Sequence, residues 1–205
     1  MKAKVKICGI KTIEAAQAAF DAGVDFLGFN FVPASKRLIS AETAKLIIDE
    51  LPKGIFKVGV FMNADIVDIN NLINILKLDY VQLHGSEQAE YLSLIKGAKI
   101  IKTFSLSADF DVAKTLEKMK KYKVDYFLLD REKQGKGELL NLDKVCKLAT
   151  TFPIILSGGL TSENVKEAVR VAQPYAVDVA TGVETEGKKD IEKIKKFIRE
   201  VKQYE

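Results

Sequence analysis

The chain has 205 residues, 47% of them apolar and 29% charged, with a formal net charge of +4 at pH 7. That length supports one domain with a full core and is short for two. No apolar run reaches the roughly 18 residues that a membrane span needs, and MKAKVKICGI has no signal-peptide pattern, so the expectation is a cytoplasmic protein with no membrane partner. Only four of the 32 basic residues are arginine, and the densest basic stretch, Lys188 to Lys202, alternates with Asp190, Glu192 and Glu200 around an apolar stripe. That pattern is a solvated helix face, and nucleic acid is not an expected partner.

Short apolar runs alternate with amphipathic segments along the whole chain. AKVKIC (3–8) reads as a strand, followed by a helix from a Thr12 cap to about Ala22. DFLGFNF (25–31) is a second strand, with a helix from about Ala41 to Leu51 after it. FKVGVF (56–61) precedes a helix over 64–76 with Asn63 as its cap, and YVQL (80–83) precedes one over 87–95 capped by Ser86. The second half repeats the plan. KIIKTF (99–104) leads to a helix near 109–121, and YFLLD (126–130) to a helix from Leu142 capped by Asn141. PIILS (153–157) leads to a helix capped by Thr161 or Ser162, and AVDVA (176–180) to a terminal helix over 190–203. Ser, Thr and Asn suit these starts because their side chains satisfy the orphan N–H groups of a first turn.

Strands that are apolar throughout, rather than alternating, are buried on both faces and belong to a parallel sheet. Eight strand–helix units with no spare element favour a closed (β/α)8 barrel (TIM barrel) over an open doubly wound sheet, and no linker or composition break divides residues 1–205.

In such a barrel the chemistry sits at the C-terminal ends of the strands. Cys8, in KICGIKT, ends the first strand. It reads equally as a base in thiolate form and as a small apolar residue closing the barrel mouth. Asp130 ends FLLD, where low dielectric would raise its pKa and suit it to act as an acid; alone it reads more readily as a loop cap. His84, the one histidine, lies at a strand end in VQLHG, although lone histidines are more often structural. Cys146 shares a helix face with Leu142, Val145 and Ala149, and is expected to be a buried core thiol. The two cysteines do not suggest a disulfide.

Gly158 and Gly159 in ILSGGLTSENV, and Gly182 in VDVATGVE, place flexible backbone just after strands seven and eight. Exposed N–H groups at two such turns form a phosphate cradle, so a phosphorylated small molecule is the expected partner. Arg37, in FVPASKRLIS, has a planar fork suited to a carboxylate, with Lys36 as a competing cation. One histidine and two distant cysteines give no metal-ligand spacing, and GKG at 135–137 lacks the context of a Walker motif.

Together KICGIKT, DFLGFNF with SKR, VGVFMN, VQLHGSE, FLLD, LSGGLTSENV and VDVATGVETEGKKD span the chain. In this order they resemble the phosphoribosylanthranilate isomerases of tryptophan biosynthesis. The resemblance implies a (β/α)8 barrel and a cofactor-free Amadori rearrangement of N-(5-phosphoribosyl)anthranilate. It implies Asp130 as general acid and Cys8 as general base, Arg37 on the anthranilate carboxylate, and the backbone around Gly159 and Gly182 on the phosphate. Asp178 and His84 match motif positions in supporting roles.

Two departures are visible: QGKGE (134–138) stands where a GGTG-like turn is usual, and Ala180 and Thr181 stand where serines are common. Thr181 keeps a hydroxyl for the phosphate; Ala180 does not. The competing readings are a histidine-pathway aminoaldose isomerase, which would want aspartate at position 8, and a catalytically silent phosphate-binding barrel. A synthase of the indole branch would need a catalytic lysine, and Lys102 has no evident glutamate partner. Monomer and homodimer both remain open.

Overall fold

The structure, a computed structural model, describes residues 3–132 and 138–203. Eight parallel strands close on themselves in sequence order: β1 (Lys4–Cys8), β2 (Phe26–Asn30), β3 (Phe56–Phe61), β4 (Tyr80–Leu83), β5 (Lys99–Leu106), β6 (Tyr126–Arg131), β7 (Ile154–Leu156) and β8 (Ala176–Val179), with β8 returning to pair with β1. Helices α1 (Ile13–Asp21), α2 (Ala41–Glu50), α3 (Ile66–Leu76), α4 (Ala89–Leu92), α5 (Val112–Met119), α6 (Leu142–Ala149), α7 (Val165–Ala172) and α8 (Ile191–Lys202) follow the strands in turn. A single 3-10 turn, Thr181–Val183, and a short hairpin of β9 (Glu184–Thr185) and β10 (Lys188–Lys189) lie between β8 and α8. None of the described helices is long and apolar enough to cross a membrane.

The period-2 alternation of each strand sorts its residues into two layers. Val5, Ile7, Leu27, Phe29, Val81, Leu83, Leu129, Leu156, Val177 and Val179 join the large cluster between barrel and helices. A separate cluster holds Phe26, Val58, Tyr80, Ile101, Leu128, Ile155 and Ala176, one from each of β2 to β8, and fills the lower barrel interior. At the mouth of that interior, continuing the same parity two residues further on, the buried side chains turn polar: Gln82, Thr103 and Asp178, with Lys6 on β1 and Ser157 just past β7. The barrel is thus apolar at its base and polar just beneath its C-terminal mouth, which is where a polar ligand would have to be met.

Several helix starts differ from expectation. The cap of α3 is Asp65, whose carboxylate accepts from the Val67 N–H at 2.7 Å. Asn63 instead adopts a positive φ of 50° and its side-chain oxygen accepts the Ser86 N–H at 2.8 Å. This clasps the loops after β3 and β4, and it takes Ser86 away from capping; α4 is a single turn with Gln88 at its start and no side-chain cap. Thr161 and Ser162 lie ahead of α7, whose first-turn neighbour is Asn164; its Oδ1 accepts from the Thr161 N–H, tying the loop to itself. Cys146 is half-buried at the edge of α6 rather than in the core, because Val145 and Leu148 take the inward positions.

Candidate functional site

β1 brings two titratable side chains to the interior two residues apart. Cys8 pairs in register with Gly28 of β2, and Lys6 pairs with Asp178 of β8. Lys6 is fully enclosed, and its ammonium donates to Asp178 Oδ1 at 2.8 Å. Ser157 lies 3.4 Å from the other carboxylate oxygen. Desolvating such a pair costs several kcal/mol per ion and is recovered only with close contact, so a lysine at this position marks the site as electrostatic rather than space-filling. Burial works against the Lys6 charge, but Asp178 and then Cys8 outweigh it and hold the ammonium above its ordinary pKa. Burial also pushes the Cys8 thiol up; Lys6 opposes that, Asp178 adds to it, and Lys189 opposes it. Cys8 at rest is therefore a thiol with a cation beside it.

Opposite, β6 delivers Asp130 to the mouth. Its Oδ1 accepts the Arg131 N–H at 2.9 Å, and its Oδ2 faces His84 Nε2 at 3.7 Å. Burial raises the carboxyl pKa, with His84 opposing. Burial lowers the His84 pKa, with Asp130 opposing, so the ring is neutral at neutral pH and the contact is not an ion pair. Lys6 and Asp178 act on Asp130 as well as on Cys8, which makes the two ends of the mouth one electrostatic unit.

Arg37 reaches in from the loop after β2. Gly9, at φ 79°, has no side chain, and a Cβ there would collide with the Arg37 stem. Arg37 Nε and Nη2 donate to the two oxygens of Glu184 at 2.7 and 2.8 Å, and Nη2 also donates to Thr181 Oγ1 at 2.9 Å. The same Glu184 accepts from Lys189, whose ammonium also donates to the Ala180 carbonyl, both at 2.8 Å. Glu184 thereby fixes the guanidinium plane; the hydrogen bond to it keeps Arg37 above even its ordinary pKa. The Thr181 hydroxyl is engaged with Arg37 as acceptor and retains its own proton.

The three glycines expected to form a phosphate cradle are each required by close approach. Gly158 and Gly159 have φ of 83° and 72°. A Cβ on Gly158 would lie 2.7 Å from Asp130 Oδ1, and one on Gly159 would run into the Glu138 carbonyl. A Cβ on Gly182 would run into the Leu160 carbonyl, so the loops after β7 and β8 touch backbone to backbone. The turn expected to depart at QGKGE lies outside the described residues except for Glu138, whose carbonyl accepts from Arg131.

Three members of this constellation escaped the sequence reading: Lys6, Glu184 and Lys189. Lys6 was visible only as parity, two residues before Cys8 on one strand. Lys102 does have a glutamate partner, Glu87, at 2.7 Å, contrary to expectation. Its parity is opposite to that of Ile101 and Thr103, however, and it braces the Gly85 loop from outside the barrel interior.

Residues 5–200 match the model of the family described as N-(5'phosphoribosyl)anthranilate (PRA) isomerase. The N-(5'-phosphoribosyl)anthranilate isomerase of Clostridium acetobutylicum is 41% identical over 207 residues, covering 98% of each chain. The crystal structure of phosphoribosyl anthranilate isomerase from Thermotoga maritima superposes with a TM-score of 0.89 at 38% identity, again over 98% of both chains. A phosphoribosyl anthranilate isomerase crystallised with reduced 1-(o-carboxyphenylamino)-1-deoxyribulose 5-phosphate gives a TM-score of 0.86 at 38% identity over 98% of both chains.

Proposed function

Since the chain belongs to the N-(5'-phosphoribosyl)anthranilate isomerase family, we propose that it converts N-(5-phosphoribosyl)anthranilate to 1-(2-carboxyphenylamino)-1-deoxyribulose 5-phosphate in the cytoplasm, as a step of tryptophan biosynthesis. The observation that carries this reading is the pairing at one barrel mouth of a thiol beside a buried cation with a carboxyl whose pKa burial raises. An Amadori rearrangement needs a base and an acid, and a substrate whose own nitrogen is the electron sink needs no cofactor.

Asp130, protonated, gives its proton to the furanose ring oxygen while the nitrogen lone pair opens the ring to a protonated Schiff base. Cys8, as thiolate, takes the C2 proton, and the C–H electrons neutralise the iminium to give an enolamine. The Cys8 thiol returns that proton to C1, and the Asp130 carboxylate takes the C2 hydroxyl proton as the ketone forms. Both groups end as they began. Arg37 holds the anthranilate carboxylate. The backbone about Gly158, Gly159 and Gly182, with the Thr181 hydroxyl, holds the phosphate, and Asp178 and His84 support the ribose chain between them. Positioned groups of this kind contribute ~10²–10⁴-fold each.

The test is loss of anthranilate fluorescence on incubation of the protein with N-(5-phosphoribosyl)anthranilate. Persistent fluorescence at high protein concentration removes the proposal.

A further inference from the structure

A thiolate base is required in a place where burial favours the thiol, and three cations surround it. Arg37 and Lys189 both commit hydrogen bonds to Glu184. Lys6, two residues before Cys8 on the same face of β1, is the cation that most opposes the upward push of burial on the thiol, and its ammonium donates to Asp178 Oδ1 at 2.8 Å. The space where sulfur and ammonium meet is kept open from β2: a Cβ on Gly28 would stand 2.9 Å from Cys8 Sγ and 3.2 Å from Lys6 Nζ. The charged groups facing Cys8 are thus Lys6 on its own strand, Asp178 on β8, Lys189 on β10 and Arg37 from the loop after β2, with Glu184 behind the last two.

We propose that Lys6 is the positioning residue that makes Cys8 available as thiolate, with Gly28 leaving the volume for their contact and Asp178 as the competing counter-ion. This rests on Cys8 being the base. Lys6 keeps its proton throughout: the proton taken from C2 is the one returned to C1, so no further proton carrier enters.

The consequence is specific. The working form holds a thiolate and a protonated Asp130, yet the thiol ionises at higher pH than the carboxyl. Between the two pKa values this form is a constant minor fraction of the enzyme, because each gain in thiolate is matched by a loss of acid. That fraction shrinks tenfold for every unit by which the thiol pKa moves further above the carboxyl's. Lys6 sets the separation.

The experiment titrates the thiolate ultraviolet absorbance of Cys8, as the difference between each protein and its Cys8→Ser counterpart. It is run on the parent, Lys6→Met, Asp178→Asn and Gly28→Ala, alongside kcat/KM against pH. In Lys6→Met the Cys8 midpoint moves to higher pH by at least about one unit. The level stretch of kcat/KM falls about tenfold per unit, and its alkaline fall moves with the midpoint. In Asp178→Asn the midpoint moves to lower pH, because the ammonium turns to sulfur alone. Gly28→Ala, which wedges the pair apart, moves it upward. Unmoved midpoints in Lys6→Met and Asp178→Asn overturn the proposal. Should Lys6→Met fail to fold, an unmoved midpoint in Asp178→Asn overturns it on its own. The titration needs no substrate: midpoints that shift in a parent inactive on N-(5-phosphoribosyl)anthranilate leave the coupling standing and remove the functional reading. Turnover with unmoved midpoints does the reverse.

Discussion

His84 Nε2 stands 3.7 Å from Asp130 Oδ2, beyond a hydrogen bond but near enough for each group to bias the other's ionisation. The ring is held from behind, where its Nδ1 lies 3.4 Å from the Gln82 amide. Burial keeps the imidazole neutral and the carboxyl protonated to higher pH than usual, which is the state an acid at this position needs.

The pH dependence follows from these directions. Below the Asp130 pKa the acid is fully loaded and the rate is limited by scarce thiolate, so kcat/KM climbs with pH. It levels once Asp130 begins to ionise and falls only once Cys8 has lost its proton. At the acid end of the profile, where the otherwise neutral His84 takes up a proton, the imidazolium facing the carboxylate favours ionisation of Asp130. In His84→Asn the levelling point therefore moves to higher pH, while the rate falls by less than ~10²-fold. A shift to lower pH would show that His84 does not act on Asp130 in this sense.

Removing the proposed acid or base is expected to be more severe. Cys8→Ala and Asp130→Asn should each lower kcat by at least ~10²-fold with the circular dichroism of the barrel unchanged. Near-normal turnover in Cys8→Ala removes the assigned base.

Arg37→Ala should raise KM by about 10- to 100-fold, the worth of a charged hydrogen-bonded contact, with kcat reduced less. Glu184→Gln, which keeps the shape but not the charge that orients the guanidinium, should raise KM by a smaller factor. The comparison that decides is with inorganic phosphate as inhibitor: if Arg37→Ala changes only phosphate affinity, Arg37 does not bind the carboxylate.

Gly182→Ala forces a methyl into the Leu160 carbonyl and parts the loops after β7 and β8. Affinity for both substrate and inorganic phosphate should weaken about tenfold, close to 1.4 kcal/mol, at little cost in kcat. Unchanged phosphate inhibition argues that the cradle lies elsewhere.

Stability has its own test away from the chemistry. Lys102 and Glu87 are both buried, and Glu87 also accepts the Asn63 and Gly85 N–H groups. Lys102→Met strands that carboxylate and should cost about 3–5 kcal/mol in urea unfolding. Lys102→Met with Glu87→Gln removes the orphan charge and should recover more than half of it; additive losses would mean the pair is not coupled.

The eight units, and the strand ends that carry Cys8, Asp130, His84 and Asp178, were legible in the chain because apolar runs and turn residues report local periodicity and burial on both faces. The helix caps were less legible. Asn63 and Ser86 have the chemistry of caps, but a loop-to-loop hydrogen bond between them outcompeted that role. Lys6 was hidden among 32 basic residues, since a lysine in a strand points to solvent or to the interior according to parity, and parity acquires a direction only when the sheet closes. Glu184 is 147 residues from Arg37, and no local pattern joins them. Sequence alone thus determined which elements form and which reactive groups end the strands, because those depend on neighbours in the chain. The tertiary structure decided which charges share the mouth, and so the thiol's surroundings, because electrostatic energy depends on distance and enclosure rather than on order along the chain.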